Sequence, residues 1–175
     1  MFNLAIMNSY VLSIYKYNNM YNNRTGLYKL INPQKFIPPA DNHMKSFNES
    51  TGELVYKSGL ELKSLRYCDY NKHVVKFSLE PFPIPYRSPK DSKIHRYYVD
   101  LYMEFSTGDR FIVEIKSKGE TVPPKKPKKK TSKAIMNYKK AQLTYAVNEA
   151  KWKEAEKFAS ERKMRFIILT EEHLS

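Results

Sequence analysis

The 175-residue chain is short of cysteine, of acidic residues and of uninterrupted apolar runs. Cys68 is the single cysteine, which excludes an internal disulfide and any multi-cysteine zinc site. A reducing compartment is expected. A catalytic metal would have to sit on carboxylates, and that favours a hard ion, Mg²⁺ or Mn²⁺. Asp and Glu total 18 against 31 Lys and Arg, a net charge of +13. Such an imbalance points to a polyanionic partner, nucleic acid before an anionic membrane surface. The apolar opening, residues 1–15, is interrupted by Asn3, Asn8, Ser9 and Ser13. It is too short to span a bilayer and lacks the basic region and cleavage site of a signal peptide, so no membrane role is expected.

What is present suits a globular domain. Hydrophobic residues make up 41% and aromatics 14%, enough for a core in one domain of this length. Residues 1–25, rich in Asn and Tyr, read as a peripheral extension, and residues 26–175 as the domain. Within it, 26–56 look loop-like around Pro33, Pro38, Pro39 and Gly52. A helix is predicted from Ser58 to about Asn71, because Ser58-Gly-Leu-Glu61 has the capping-box pattern. Residues 73–80 read as a strand, and 81–91, with their prolines, as an extended loop. A hairpin follows: 96–105 and 111–116, joined by a turn containing Gly108. Period two puts Val99, Leu101, Met103 and Phe105 on one face and Tyr98, Asp100, Tyr102 and Glu104 on the other. It likewise sets Phe111, Val113 and Ile115 against Ile112, Glu114 and Lys116. Residues 117–133 form an exposed Pro/Lys loop, 133–162 a long helix, and 164–170 a short buried apolar strand. A strand–helix–strand ending implies a parallel, right-handed crossover.

Glu-x-Lys occurs four times, and three of these lie on predicted helices, where such pairs are ordinary solvated surface. Glu114-Ile-Lys116 alone lies on a predicted strand, and it follows an aspartate, Asp100, on the preceding strand of the same hairpin. Phosphodiester cleavage needs an in-line nucleophile and neutralisation of phosphoryl charge, and a hard divalent ion supplies both. Asp100 and Glu114 can bracket such an ion, with the Ile115 carbonyl as a third ligand. Lys116, one pleat beyond Glu114, is set to orient water or stabilise charge. Glu61 can complete the metal shell. Blander readings stand beside these: Glu61 as a helix cap, Asp100 and Lys116 as cross-strand surface partners.

From Lys116 to Lys140, ten lysines are opposed only by Glu120, a net +9. Lys118, Lys125, Lys126, Lys128, Lys129, Lys130 and Lys133 read as a clamp for the phosphate backbone, without base readout. A solvated linker is the plainer alternative. His95 and Arg96, just before Asp100, are candidates for a scissile phosphate or simply for starting a strand. Tyr97, Tyr98 and Tyr102 are candidates for stacking on bases, though a place among the sheet and core aromatics is the plainer reading. Gln142 and Asn148, on the long helix, are candidates to face the site, but as polar helix residues they are more readily expected to face water.

The order of helix glutamate, strand aspartate and Glu-x-Lys, then helix and strand, resembles the PD-(D/E)xK nuclease superfamily. Within it the chain looks most like the head completion nucleases of large tailed bacteriophages. Residues 58–71, 84–105, 113–131, 144–158 and 168–174 carry the likeness. The resemblance implies a restriction-endonuclease-like αβββαβ core, with a mixed central sheet flanked by helices. It carries the family's functional positions onto Glu61, Asp100, Glu114 and Lys116. It further implies an Mg²⁺-dependent (or Mn²⁺-dependent) nuclease acting on double-stranded DNA, trimming packaged DNA so that a filled head can join a tail. Head and portal-proximal proteins would be its partners, in the host cytoplasm during assembly or with the virion. Val99 departs from the proline common before the aspartate, and Ser117 and Gly119 from the residues common after Glu-x-Lys. Alternatives are another nuclease of this fold, for transposon ends or DNA junctions, and a DNA-binding head–tail joining protein with a silent site.

Overall fold

The computed structural model describes residues 25–39, 47–48 and 50–173. Residues 1–24, nearly all of the peripheral extension, lie outside these, so that reading rests on sequence alone. Three short strands come first: β1 (Gly26–Lys29), β2 (Phe47–Asn48) and β3 (Glu53–Tyr56). They pair antiparallel in the order β1-β3-β2, where the sequence suggested a loop. Strands of two to four residues among prolines are too short to show a period.

Helix α1 (Gly59–Tyr70) starts at Ser58, whose Oγ accepts the Glu61 N–H at 3.1 Å. Glu61 Oε2 accepts the Lys57 N–H at 2.7 Å, so the returning bond of the cap goes one residue further back than in a standard capping box. Next come β4 (Val74–Leu79), β5 (Pro83–Arg87), β6 (Ile94–Tyr98), β7 (Leu101–Phe105) and β8 (Arg110–Ile115). Helix α2 (Ser132–Glu161) and β9 (Arg165–Leu169) complete the described chain.

The central sheet has the order β4-β7-β8-β9, antiparallel except for the parallel pair β8–β9 across α2. With α1 ahead of it, this is the expected αβββαβ core. Two expectations inside it are corrected. The predicted strand 96–105 is two strands, broken at Val99–Asp100. The proline-rich segment predicted as loop contains β5, which pairs with β6 as a separate two-stranded ribbon. Pro83 and Pro85 are two residues apart, so both missing N–H groups fall on one edge of an outer strand, where no ladder bond is lost.

Alternation sorts the sheet's side chains into two cores. Phe77, Leu101, Met103, Phe105, Phe111 and Val113 pack with α1 and the N-terminal sheet. Ile112 and Val99 pack on the other side with Tyr97, Ile84, Ala155 and Ala159, beneath α2 and the ribbon. Val99 thus leaves the face assigned to it, because the break at Asp100 resets the alternation. Strand β9 is less buried than expected: as an edge strand it shields fully only Leu169.

Candidate active site

The site forms where two paired strands separate. Strands β7 and β8 run in register from Glu104↔Arg110 to Leu101↔Val113. The next facing positions would be Asp100 and Glu114. There the backbones part, because the chain before Leu101 turns away into the β5–β6 ribbon. The Ile115 N–H donates instead to Asp100 Oδ2 at 2.7 Å. A side-chain carboxylate replaces the ladder carbonyl, and this fixes Asp100 beside the Glu114–Ile115 backbone.

Glu114 is the one charge in the buried run of β8, at 2% exposure. Its Oε1 lies 3.0 Å from Lys116 Nζ, and its Oε2 accepts the Tyr97 O–H. Burial, then the neighbouring Glu114 charge, pushes the Asp100 carboxyl up to about 7, against the opposing pull of the Ile115 N–H and Lys116. Burial works to lower the Lys116 ammonium, but Glu114 and Asp100 outweigh it and hold the group above the ordinary lysine range. The Tyr97 phenol is pushed up by burial and by Glu114, so it remains a proton donor to that carboxylate.

Glu61 serves as the cap of α1, and its charge also reaches Asp100. Among the described residues, no three His, Cys, Asp or Glu side chains converge to hold an ion by themselves. Two residues absent from the sequence reading border the site. Glu80, at the end of β4, has φ 43° and donates its N–H to the Asp100 carbonyl at 3.1 Å. A non-glycine residue in that region is strained and needs its surroundings to hold it there. Lys57 Nζ lies 3.0 Å from Glu80 Oε1, and this hydrogen bond, more than the Glu61 and Asp100 charges, keeps its ammonium raised against burial.

Tyr97 was legible only as a core or base-stacking aromatic. Its position beside Glu114 depends on the strand break, which local pattern does not mark. Lys151 of α2 sits 5.5 Å from its ring and 5.7 Å from that of Tyr86. His95 and Arg96 are exposed on β6, and His95 Nε2 lies 2.9 Å from Asp91 Oδ2. Lys118 is held by the segment after β9: its N–H donates to Glu171 Oε2 at 2.9 Å, and its ammonium pairs with Glu172. Lys125, Lys126, Lys128, Lys129, Lys130 and Lys133 lie along the segment before α2 and its first turn, without an ion pair among the described residues. Gln142 faces solvent as expected, whereas Asn148 is buried.

A four-stranded mixed sheet with one helix before it and a helical crossover to its last strand is the core of the restriction-endonuclease-like nucleases. The chain belongs to the TnsA-like endonuclease N-terminal family, whose model matches residues 71–171. That span contains Asp100, Glu114 and Lys116 and begins after Glu61. The chain is also 33% identical over 140 residues to the head completion nuclease of Enterobacteria phage T4, covering 80% of this chain and 91% of that protein. It is a nuclease of the TnsA-like and head-completion type. No helix among the described residues is long and apolar enough to cross a membrane.

Proposed function

We propose that the protein is an Mg²⁺- or Mn²⁺-dependent deoxyribonuclease that hydrolyses phosphodiester bonds in double-stranded DNA. Its role would be trimming packaged DNA during head completion of a tailed phage, in the infected cell or with the assembling virion. The observation that carries the reading is the half-buried Asp100 beside the buried Glu114, at the opening of β7 and β8, with Lys116 on Glu114. Two neighbouring carboxylates offset by a single lysine oppose folding, and such an arrangement suits a site that takes a further cation.

The donor set fits a hard divalent ion: the carboxylates of Asp100 and Glu114 and the carbonyl of Ile115, with water and phosphate oxygens filling the remaining positions. When bound, the ion would activate water and neutralise charge developing on the phosphate. Lys116 orients the attacking water and stabilises the same charge from the side of Glu114. Tyr97 holds the second Glu114 oxygen and so fixes the carboxylate plane. Glu61 adds negative field from the α1 cap and keeps Lys57 beside the acidic edge. The lysines of 125–133 hold the phosphate backbone; each one removed should lower the slope of log affinity against log salt by about 0.9.

The length over which the chain matches a head completion nuclease favours that role. The TnsA-like family match supports, as a second reading, cleavage at transposon ends by a partnered subunit. The deciding experiment incubates the purified chain with supercoiled plasmid in Mg²⁺, Ca²⁺ or EDTA, beside Lys116→Ala. Cleavage in Mg²⁺ alone, lost in the variant, is expected. DNA binding without cleavage in any metal would overturn it in favour of a joining protein or a subunit awaiting its partner.

A further inference from the structure

A cavity of about 340 Å³ lies between the segment leaving β8 and the first half of α2. Gly119, Glu120, Val122 and Pro124 line one wall, and Tyr145 and Asn148 the other. Its volume falls in the range of small-molecule sites and admits a single nucleoside.

Two links join it to the candidate active site. Glu120 lies four residues after Lys116, and its charge acts on the Lys116 ammonium. Asn148 lies one helical turn before Lys151, whose ammonium faces the Tyr97 ring, and Tyr97 in turn holds Glu114.

The lining is chemically specific. Val122, Pro124 and the Tyr145 ring supply apolar surface. Tyr145 is kept in place by its hydrogen bond with Glu149 and by an edge-on contact with Trp152 at 6.4 Å. Asn148 is 7% exposed, and its side chain makes no hydrogen bond among the described residues. Unlike the sealed Trp152 Nε1, the Asn148 amide still meets solvent, and as a lining residue it can exchange that water for a ligand in the cavity. An amide presents a donor and an acceptor side by side, matching the edge of a nucleobase. Glu120 accepts the Ser117 O–H at 2.8 Å and has acceptor capacity left. Lys140 lines the same cavity, suited to the attached phosphate.

We propose that this cavity receives one unpaired nucleobase of the DNA substrate, stacked on Tyr145 and read by Asn148 and Glu120. The inference rests on the nuclease reading and narrows its substrate to DNA with a frayed, tailed or extruded nucleotide beside the scissile bond. An unpaired base has already lost its pairing, so entering the pocket costs it least. Adenine, cytosine and guanine are favoured over thymine, because thymine alone has no exocyclic amino group to offer Glu120.

The test measures equilibrium binding of the full chain, in Ca²⁺, to one labelled duplex made blunt, dA-tailed or dT-tailed. Wild type should bind the dA-tailed form about tenfold more tightly than the blunt one, with the dT tail between them. Asn148→Leu and Tyr145→Ala should erase that preference and leave blunt-duplex affinity unchanged. A 2-aminopurine in the tail should change its emission on binding wild type but neither variant. Melting curves establish that both variants fold, and Tyr145→Ala, at a half-buried position, serves if Asn148→Leu does not. Equal wild-type affinity for blunt and tailed duplex, or a preference that survives in a folded variant, overturns the inference while leaving the nuclease reading intact. Failure to bind any of the duplexes overturns both.

Discussion

Asp69 and Glu114 are both buried carboxylates, at 0% and 2% exposure, yet their surroundings differ in kind. Asp69, in the last turn of α1, accepts from Tyr28 Oη at 2.7 Å, from the Ile31 N–H at 2.8 Å and from the Asn32 N–H at 2.8 Å. Lys35 Nζ closes the same corner on the Asp69 and Asn71 carbonyls, at 2.7 and 2.9 Å. Every feature there satisfies a group that folding removed from water, and the result ties the N-terminal sheet to α1. Around Glu114 a second carboxylate stands beside the first, and one lysine faces the pair. A chain selected only for stability would not keep two acids at the split of its central strands. The first region holds the fold together; the second is the one proposed above to take a divalent cation.

The largest effect that would test this contrast is loss of cleavage in Glu114→Gln. We expect about a thousandfold fall in plasmid nicking rate, with the melting temperature kept or raised. A marked loss of stability would show that Glu114, like Asp69, is there for the fold. Asp69→Ala should do the reverse. Leaving the Tyr28 hydroxyl and two backbone N–H groups without their acceptor costs about 3 kcal/mol, or about 10 °C in thermal unfolding, while cleavage per folded molecule stays near wild type.

Asp100→Asn should be active-site dead and more stable. Its raised carboxyl is at ease protonated and penalised when ionised in the folded state. Stability is therefore greatest below the ordinary aspartate range and is lost as pH rises through the value near 7. Thermal melts in EDTA across that window should show wild type falling behind the variant, by about 3 °C at the alkaline end. Added Mg²⁺ should raise the wild-type melting temperature and leave the variant's unchanged. Parallel pH curves would remove the electrostatic argument. The smallest change, Tyr97→Phe, should reduce cleavage about tenfold and shift its pH profile, at a cost of about 1 kcal/mol in stability, because the Glu114 oxygen loses its one phenol donor while Lys116 still holds the other.

The sequence by itself determined the elements with a strong local signal. Ser58 and Glu61 announced a helix start, the turn at Gly108 a hairpin, and the alternation of β8 set Glu114 opposite Phe111 and Val113. The Glu-x-Lys on that strand was legible because period two leaves little freedom in where a strand's side chains point, whereas Asp100, expected on the partner strand, sits in the break just before β7. Only the tertiary structure decided the rest. The small N-terminal sheet has strands too short to carry a period, and β5 is allowed by an open edge that proline spacing does not reveal. The break at Val99–Asp100 comes from competition between two partners, the ribbon strand β5 and the central strand β8, each pulling on one chain. That competition turns Tyr97 toward Glu114 and gives Asp100 the Ile115 N–H. A contact between residues far apart in the chain depends on how sheets and helices stack, and local pattern does not encode that stacking.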